Sequence, residues 1–255
     1  MFNTAHILYI ILSTLATAAI LVVLGLFVKD GSRRRWVLKL IAILTVVIHY
    51  SSLWVDYFRD GEATVDSSML LPAYPCNIIM WLLLIVALSK SREGWVYRAM
   101  CEFCFLGGIV CGVIGIVFNE NYGSNPTLAD YHVLKGLLSH STMIFGCIYL
   151  RVGGFMRVSL YNVASVTAGL MLFIVIGVTV NMLYRIFDLG SCNCMYLEEA
   201  PFPDLPFINT WTIGVAGVLI TALIGFIAEL TTLPREERTV AKLKSMLAKR
   251  KESQQ

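Results

Sequence analysis

Seven apolar runs alternate with short polar connections along the chain, at residues 6–28, 36–58, 70–89, 96–118, 132–152, 160–184 and 210–230. A helix of about 20 apolar residues crosses the hydrocarbon core of a bilayer. There it satisfies its own backbone polar groups, which an open irregular segment cannot do. The pattern therefore predicts an all-α membrane protein, a bundle of seven transmembrane helices. The first run has no positive cluster before it, and Arg33, Arg34 and Arg35 follow it, which reads as a span and not as a cleaved leader. Beyond Pro234, the apolar Val240, Leu243 and Leu247 recur at helical spacing among lysines. Residues 1–234 are thus expected to form the seven-helix domain and 235–255 a basic helical tail, either solvated or lying on anionic lipid.

The third run breaks the pattern at its start, Leu71-Pro72-Ala73-Tyr74-Pro75-Cys76-Asn77. Two prolines three apart prevent a regular helix from preceding Pro75. Proline suits the first helical position, where its missing N–H would have been unpaired anyway. Cys76 and Asn77 then fall in the first turn, where backbone N–H groups lack helical partners and the dipole is positive.

Charge adds orientation. Of the 20 basic residues, all but Arg59, Lys135 and Arg185 fall on the connections of one side. The other side carries acidic residues, among them Asp60, Glu62, Asp66, Glu120, Asp130, Asp188, Glu198, Glu199 and Asp204. The positive-inside rule puts the N-terminus outside and the tail in the cytoplasm. Composition agrees with a membrane setting, since 57% of residues are hydrophobic and 15% charged. Soluble domains have about 45–50% apolar and about 25% charged residues.

Ionisable groups within spans are the first candidates for chemistry. Counted from the outer ends of their spans, Cys76 lies about six residues deep, and His140 and His49 about nine. Asp56, Asn119 and Asn181 lie nearer the outer rim, so one polar layer can draw on four spans. A cysteine nucleophile needs a base within hydrogen-bond reach, and histidine supplies one. In that reading Cys76 attacks, His140 is the base, and first-turn N–H groups with the Asn77 amide hold an oxyanion. Cys76 keeps its proton at rest and passes it to His140 during attack. The alternative is that Cys76 packs as a small hydrophobe and His140 bonds a backbone carbonyl. Zinc is the competing chemistry, with His49, His132, His140 and Cys76 as donors. Yet His132 and His140 lie roughly 12 Å apart along one helix, too far to share an ion, so no metal and no cofactor are expected.

Other features read as structural. Cys101 and Cys104 fall among Phe103, Phe105 and Leu106 and are expected in the core. Gly107, Gly108 and Gly112 allow close helix approach. Glu102 is expected to pair with Arg98 one turn earlier. The long connection Phe187–Asn209 holds three of the seven prolines with Cys192 and Cys194, and reads as an ordered cap. Its two thiols are too close for an unstrained mutual disulfide, leaving pairing elsewhere or free thiols. The seventh run lacks the lysine of a retinal protein. No phosphate-binding Gly-x-x-x-x-Gly-Lys-[Ser/Thr] motif occurs, and no basic, aromatic soluble surface points to nucleic acid.

Three stretches together resemble a known family: Leu71 to Asn77; Gly107-Gly108 through Pro126 to His140 and Ile148-Tyr149-Leu150; and Asn193-Cys194-Met195-Tyr196-Leu197 followed by Pro201. Their order and spacing resemble the YwaF-like bacterial membrane family, whose eukaryotic relatives are of the transmembrane protein 164 type. The resemblance implies a seven-span protein of the bacterial plasma membrane and, through the eukaryotic branch, phospholipid acyl transfer by a cysteine and a histidine. By position these are Cys76 and His140, with Asn77 beside them. His49, Asp56, Tyr74, Asn181, Asn193 and Tyr196 are candidates for supporting or substrate-binding roles. The chain departs from the family where relatives often read Leu-His-x-Cys, having Ala73-Tyr74-Pro75-Cys76, and at Cys194, where an aromatic is usual. The expected function is an integral-membrane acyltransferase or lipid-ester hydrolase acting on membrane lipids. The alternative is a transporter or small-molecule binding protein, in which the broken helix presents its positive end to an anion.

Overall fold

The computed structural model describes residues 3–61, 73–119, 122, 125–190, 192–201 and 205–252. Leu71, Pro72, Glu62, Asp66, Glu120 and Asp204 lie outside the described residues. Among the described residues there are nine α-helices, two short 3-10 turns and no strand. The helices are α1 (Thr4–Phe27), α2 (Gly31–Tyr50), α3 (Ser52–Asp60), α4 (Pro75–Leu88), α5 (Trp95–Val117), α6 (Tyr131–Val152), α7 (Asn162–Ile186), α8 (Thr210–Thr232) and α9 (Thr239–Glu252).

Side-chain caps explain several starts. Asn3 accepts from the His6 N–H, Asp30 from Arg33, Asp130 from Val133 and Asn209 from Thr212. Each satisfies one N–H that the first turn cannot pair. Helix α4 has no such cap and begins at Pro75, with Tyr74 extended before it. α9 forms where the tail's spacing predicts a helix.

Five helices, α1, α5, α6, α7 and α8, are long and apolar enough to cross a membrane. The second apolar run is not one rod but α2 and α3, bent by 41°. At the bend Ser51 bonds back to Ile48 O through its N–H (3.2 Å) and its hydroxyl (2.7 Å), and its hydroxyl also meets the Tyr131 hydroxyl at 2.5 Å. Serine groups that compete for helix carbonyls are a known cause of kinks. Taken as one span, the pair brings the candidate crossings to six. α4 has 14 residues, about 21 Å of helix, which is short of a hydrocarbon core of about 30 Å.

α5 and α6 form the centre of the bundle. A Cβ on Gly108 would lie 2.2 Å from Cys147 Sγ, and one on Gly112 would lie 2.4 Å from Ile144 Cγ1, so only glycine admits this approach. Cys101 and Cys104 are fully buried in this core, as their neighbours predict. Glu102 accepts from the Ser165 hydroxyl of α7, whereas Arg98 donates to Gly94 O, so the expected Arg98 pairing gives way to a bond between helices.

Cross-helix bonds fix the two ends. At one end His6 Nε2 meets Ile116 O at 2.8 Å and Asn3 Nδ2 donates to Pro126 O at 3.1 Å. At the other, Arg34 donates to Gly153 O at 3.5 Å, and Glu229 accepts from the N–H groups of Leu160 and Thr239, both at 2.8 Å. The α1–α2 turn, the α6–α7 turn and the root of the tail therefore share one end of the bundle. Those segments carry much of the basic charge.

Candidate active site at the start of helix α4

The positions that the sequence sets at one depth line one cavity of about 570 Å³. Ligand pockets typically have volumes of about 300–1,000 Å³. His49, Asp56, Cys76, Asn77, His132, Lys135 and His140 line its polar part, with Tyr74 and Tyr196 among the other lining residues. Phe103, Leu106, Leu170, Phe173, Ile213 and Ile220, from α5, α7 and α8, line it with apolar surface. A molecule with a polar head and an apolar chain matches this division.

Cys76 is half-buried in the first turn of α4, and its Sγ–H points to Asn77 Oδ1 at 3.5 Å. The Asn77 side chain is buried and lies beside the His49 ring, so one carboxamide stands between the thiol and an imidazole. The Asn77 N–H, expected to be available to an oxyanion, donates instead to Tyr74 O at 3.0 Å. That bond turns the backbone into the helix after Pro75.

His140 Nδ1 donates to Gly136 O at 2.7 Å, one turn back on α6. This is the carbonyl bond of the structural alternative, and it also fixes the tautomer and leaves Nε2 as the basic nitrogen. The ring lies against Gly115 of α5, where a Cβ would come within 2.3 Å of Nε2. His140 and Lys135 both lie within electrostatic reach of His49.

Beyond the bend, α3 carries Asp56, which is 2% exposed. Its carboxylate meets His132 Nε2 at 3.3 Å and Arg59 at 3.4 Å, and Lys135 donates to Ser52 at 3.3 Å. In the sequence Lys135 stands out only as a charge on the acidic side. Its place at i+3 from His132 on α6 was the available signal. Cys111, which also lines the cavity within electrostatic reach of Cys76, gave no such signal.

Asn181 and Asn193 are not among the cavity-lining residues. Asn181 Oδ1 accepts from the Cys194 N–H at 2.7 Å, and Asn193 Oδ1 accepts from the N–H groups of Glu198 and Glu199. Both shape the connection over the site. Cys194 donates its thiol to Ala73 O at 3.1 Å, and the Met195 N–H donates to the same oxygen at 2.8 Å. The connection is thereby tied to the residues just before Pro75. Burial pushes the Cys194 thiol up to about 12, and both Cys192 and Cys194 are free thiols. Met195 and Tyr196 hold left-handed backbone, φ 58° and 51°, a conformation that costs non-glycine residues about 1–3 kcal/mol. Tyr196 sets its ring 5.4 Å from that of Tyr74. Among the described residues, no group of three His, Cys, Asp or Glu side chains is arranged to hold a metal ion.

The TMEM164 family model matches residues 1–228, nearly the whole helical bundle. The chain belongs to the TMEM164 family. No curated protein and no solved structure matches it. This TMEM164 family chain is an integral membrane protein, with a family match and several apolar helices in agreement.

Proposed function

We propose that the protein is a seven-span acyltransferase or lipid-ester hydrolase with Cys76 as nucleophile and His140 as base. The supporting observation is that both line one cavity while His140 Nδ1 is held by Gly136 O, leaving Nε2 for the proton. Cys76 Sγ attacks the ester carbonyl carbon as its proton passes to His140 Nε2. The positive end of α4 faces the developing oxyanion. The tetrahedral intermediate collapses, the C–O bond breaks, and the alkoxide leaves with the proton from His140. An acceptor hydroxyl or water then attacks the thioester, returns a proton through His140 and restores the thiol. Membrane lipids are the substrates, with acyl chains along Phe103, Leu170 and Ile213 and a polar head toward His132 and Lys135.

The topology follows from the same reading. α4 crosses as the short third span, entered through the segment before Pro75, which makes seven spans. Residues 1–234 form the membrane domain and 235–255 the tail, with the N-terminus outside and the tail cytoplasmic, because the basic connections gather at the tail's end.

His49 is the second candidate base, favoured by the Asn77 side chain that touches both Cys76 and His49. Single-turnover acyl transfer from a phospholipid, with Cys76→Ala, His140→Ala and His49→Ala compared, tests the assignment. Loss with the first two and retention with the third is expected. Full turnover by Cys76→Ala would refute it, and a transport role would instead leave substrate uptake intact in Cys76→Ser.

A further inference from the structure

A second cavity, about 350 Å³, lies at the basic end of the bundle and shares no lining residue with the first. Arg35, Trp36 and Lys39 of α2 form one wall, where i and i+4 spacing puts both cations on one helix face. The other wall is the end of α4 and the turn after it, with Ser89, Lys90 and Arg92. Four cations therefore border a space of headgroup size. Among the described residues none of the four pairs with a carboxylate, the ion pairs being those of Asp56 and Glu198. The carboxylate nearest to Arg35 in sequence, Asp30, is engaged in capping α2 through the Arg33 N–H.

Two further details point to a ligand. Arg92 lies over the Phe155 ring at 5.6 Å, and its buried Nε has no hydrogen-bond partner among the described residues. A buried guanidinium N–H left unpaired costs free energy that an anionic acceptor would remove. Trp36 is 68% exposed and holds Lys39 at 5.2 Å from its ring. An exposed tryptophan beside lysines at a helix end marks the interface between lipid and water. The adjoining α2 surface, Leu40, Ile43 and Leu44, is exposed and apolar, as a face in contact with acyl chains must be.

We propose that this cavity binds the phosphate of an anionic lipid headgroup, with Arg35, Lys39, Lys90 and Arg92 as donors. Basic pockets between transmembrane helices suit such headgroups because several fixed charges meet one phosphate in a partly desolvated place. The site works independently of the chemistry at Cys76, so either proposal can fail alone.

The test is native mass spectrometry of the full chain released from nanodiscs of equal phosphatidylglycerol and phosphatidylcholine. The wild type is expected to retain phosphatidylglycerol selectively. Arg35→Gln with Lys39→Gln removes two charge-assisted contacts and should weaken that retention about a hundredfold, at roughly tenfold each. Arg157→Gln, an exposed change near the same end but outside the cavity, should leave it unchanged. Equal retention by the double variant would overturn the site, and equal loss with Arg157→Gln would reduce it to general surface charge. Displacement of the lipid by millimolar inorganic phosphate would overturn the lipid assignment in favour of a free anion.

Discussion

Gly115→Ala isolates the position of His140 from its chemistry. The new Cβ would stand 2.3 Å from Nε2 and Cδ2 and 2.8 Å from Cγ, where ordinary contact begins near 3.4 Å. The ring must therefore move by about 1 Å, or the helices must part. Because Nδ1 is held to Gly136 O at 2.7 Å, the ring cannot swing aside without weakening that bond. In stability, alanine in a helix gains about 1 kcal/mol over glycine, while overpacking costs about 1–3 kcal/mol, so the net change is mild destabilisation. In rate, a misplacement of about 1 Å can cost about a hundredfold. Gly112→Ala is the matched control. One turn earlier on α5, its Cβ meets Ile144 Cγ1 at 2.4 Å, an overlap of the same size that does not involve His140. Single-turnover acyl transfer and thermal unfolding of both variants should show comparable melting shifts but a rate loss confined to Gly115→Ala. Equal rates in the two variants would refute the placement of His140 Nε2 at the reacting atoms.

Groups away from Cys76 and His140 give further outcomes. Glu229→Ala orphans the part-buried N–H of Leu160 and the buried N–H of Thr239 and should cost about 2–5 kcal/mol; a lower melting temperature and faster proteolysis of the tail are expected, and an unchanged melting curve would refute the role. The Cys194 thiol, near 12 when folded against 9.0 for an ordinary thiol, should resist iodoacetamide at pH 8 in the folded protein. Its sign is fixed: between those values the unfolded chain loses the proton first, so stability falls as pH rises from 9 toward 12. Alkaline unfolding that Cys194→Ala leaves unchanged would contradict it. Asn181→Ala removes the acceptor for the Cys194 N–H and should loosen the connection over the site, read as faster hydrogen exchange at Cys194 and Met195.

What could be read from the sequence was what local chemistry dictates. Proline geometry gave the start of α4 and the place of Cys76 and Asn77, hydropathy gave the long helices, and neighbours gave the burial of Cys101 and Cys104. Counting residues from span ends was enough to group His49, Asp56, Cys76 and His140, which line one cavity. The remainder depended on partners far along the chain. The bend at Ser51 involves Tyr131, Glu102 turns to Ser165, and Asn181 serves the backbone of Cys194. No period or dipeptide encodes such pairings. The Asn77 N–H shows the opposite case: its partner, Tyr74 O, is only three residues away, although a helix start without a side-chain cap predicts an open N–H.

Covalent catalysis at Cys76 requires an acyl-enzyme intermediate that can be trapped on its sulfur. Purified protein mixed with an acyl-phospholipid, quenched in acid and digested, should yield the peptide containing Cys76 with a hydroxylamine-sensitive acyl mass, absent in Cys76→Ala. In His140→Ala the adduct should not accumulate, because the thiol keeps its proton. Turnover without any acyl mass on Cys76, or an adduct on another residue that Cys76→Ala leaves unchanged, would contradict covalent catalysis at Cys76.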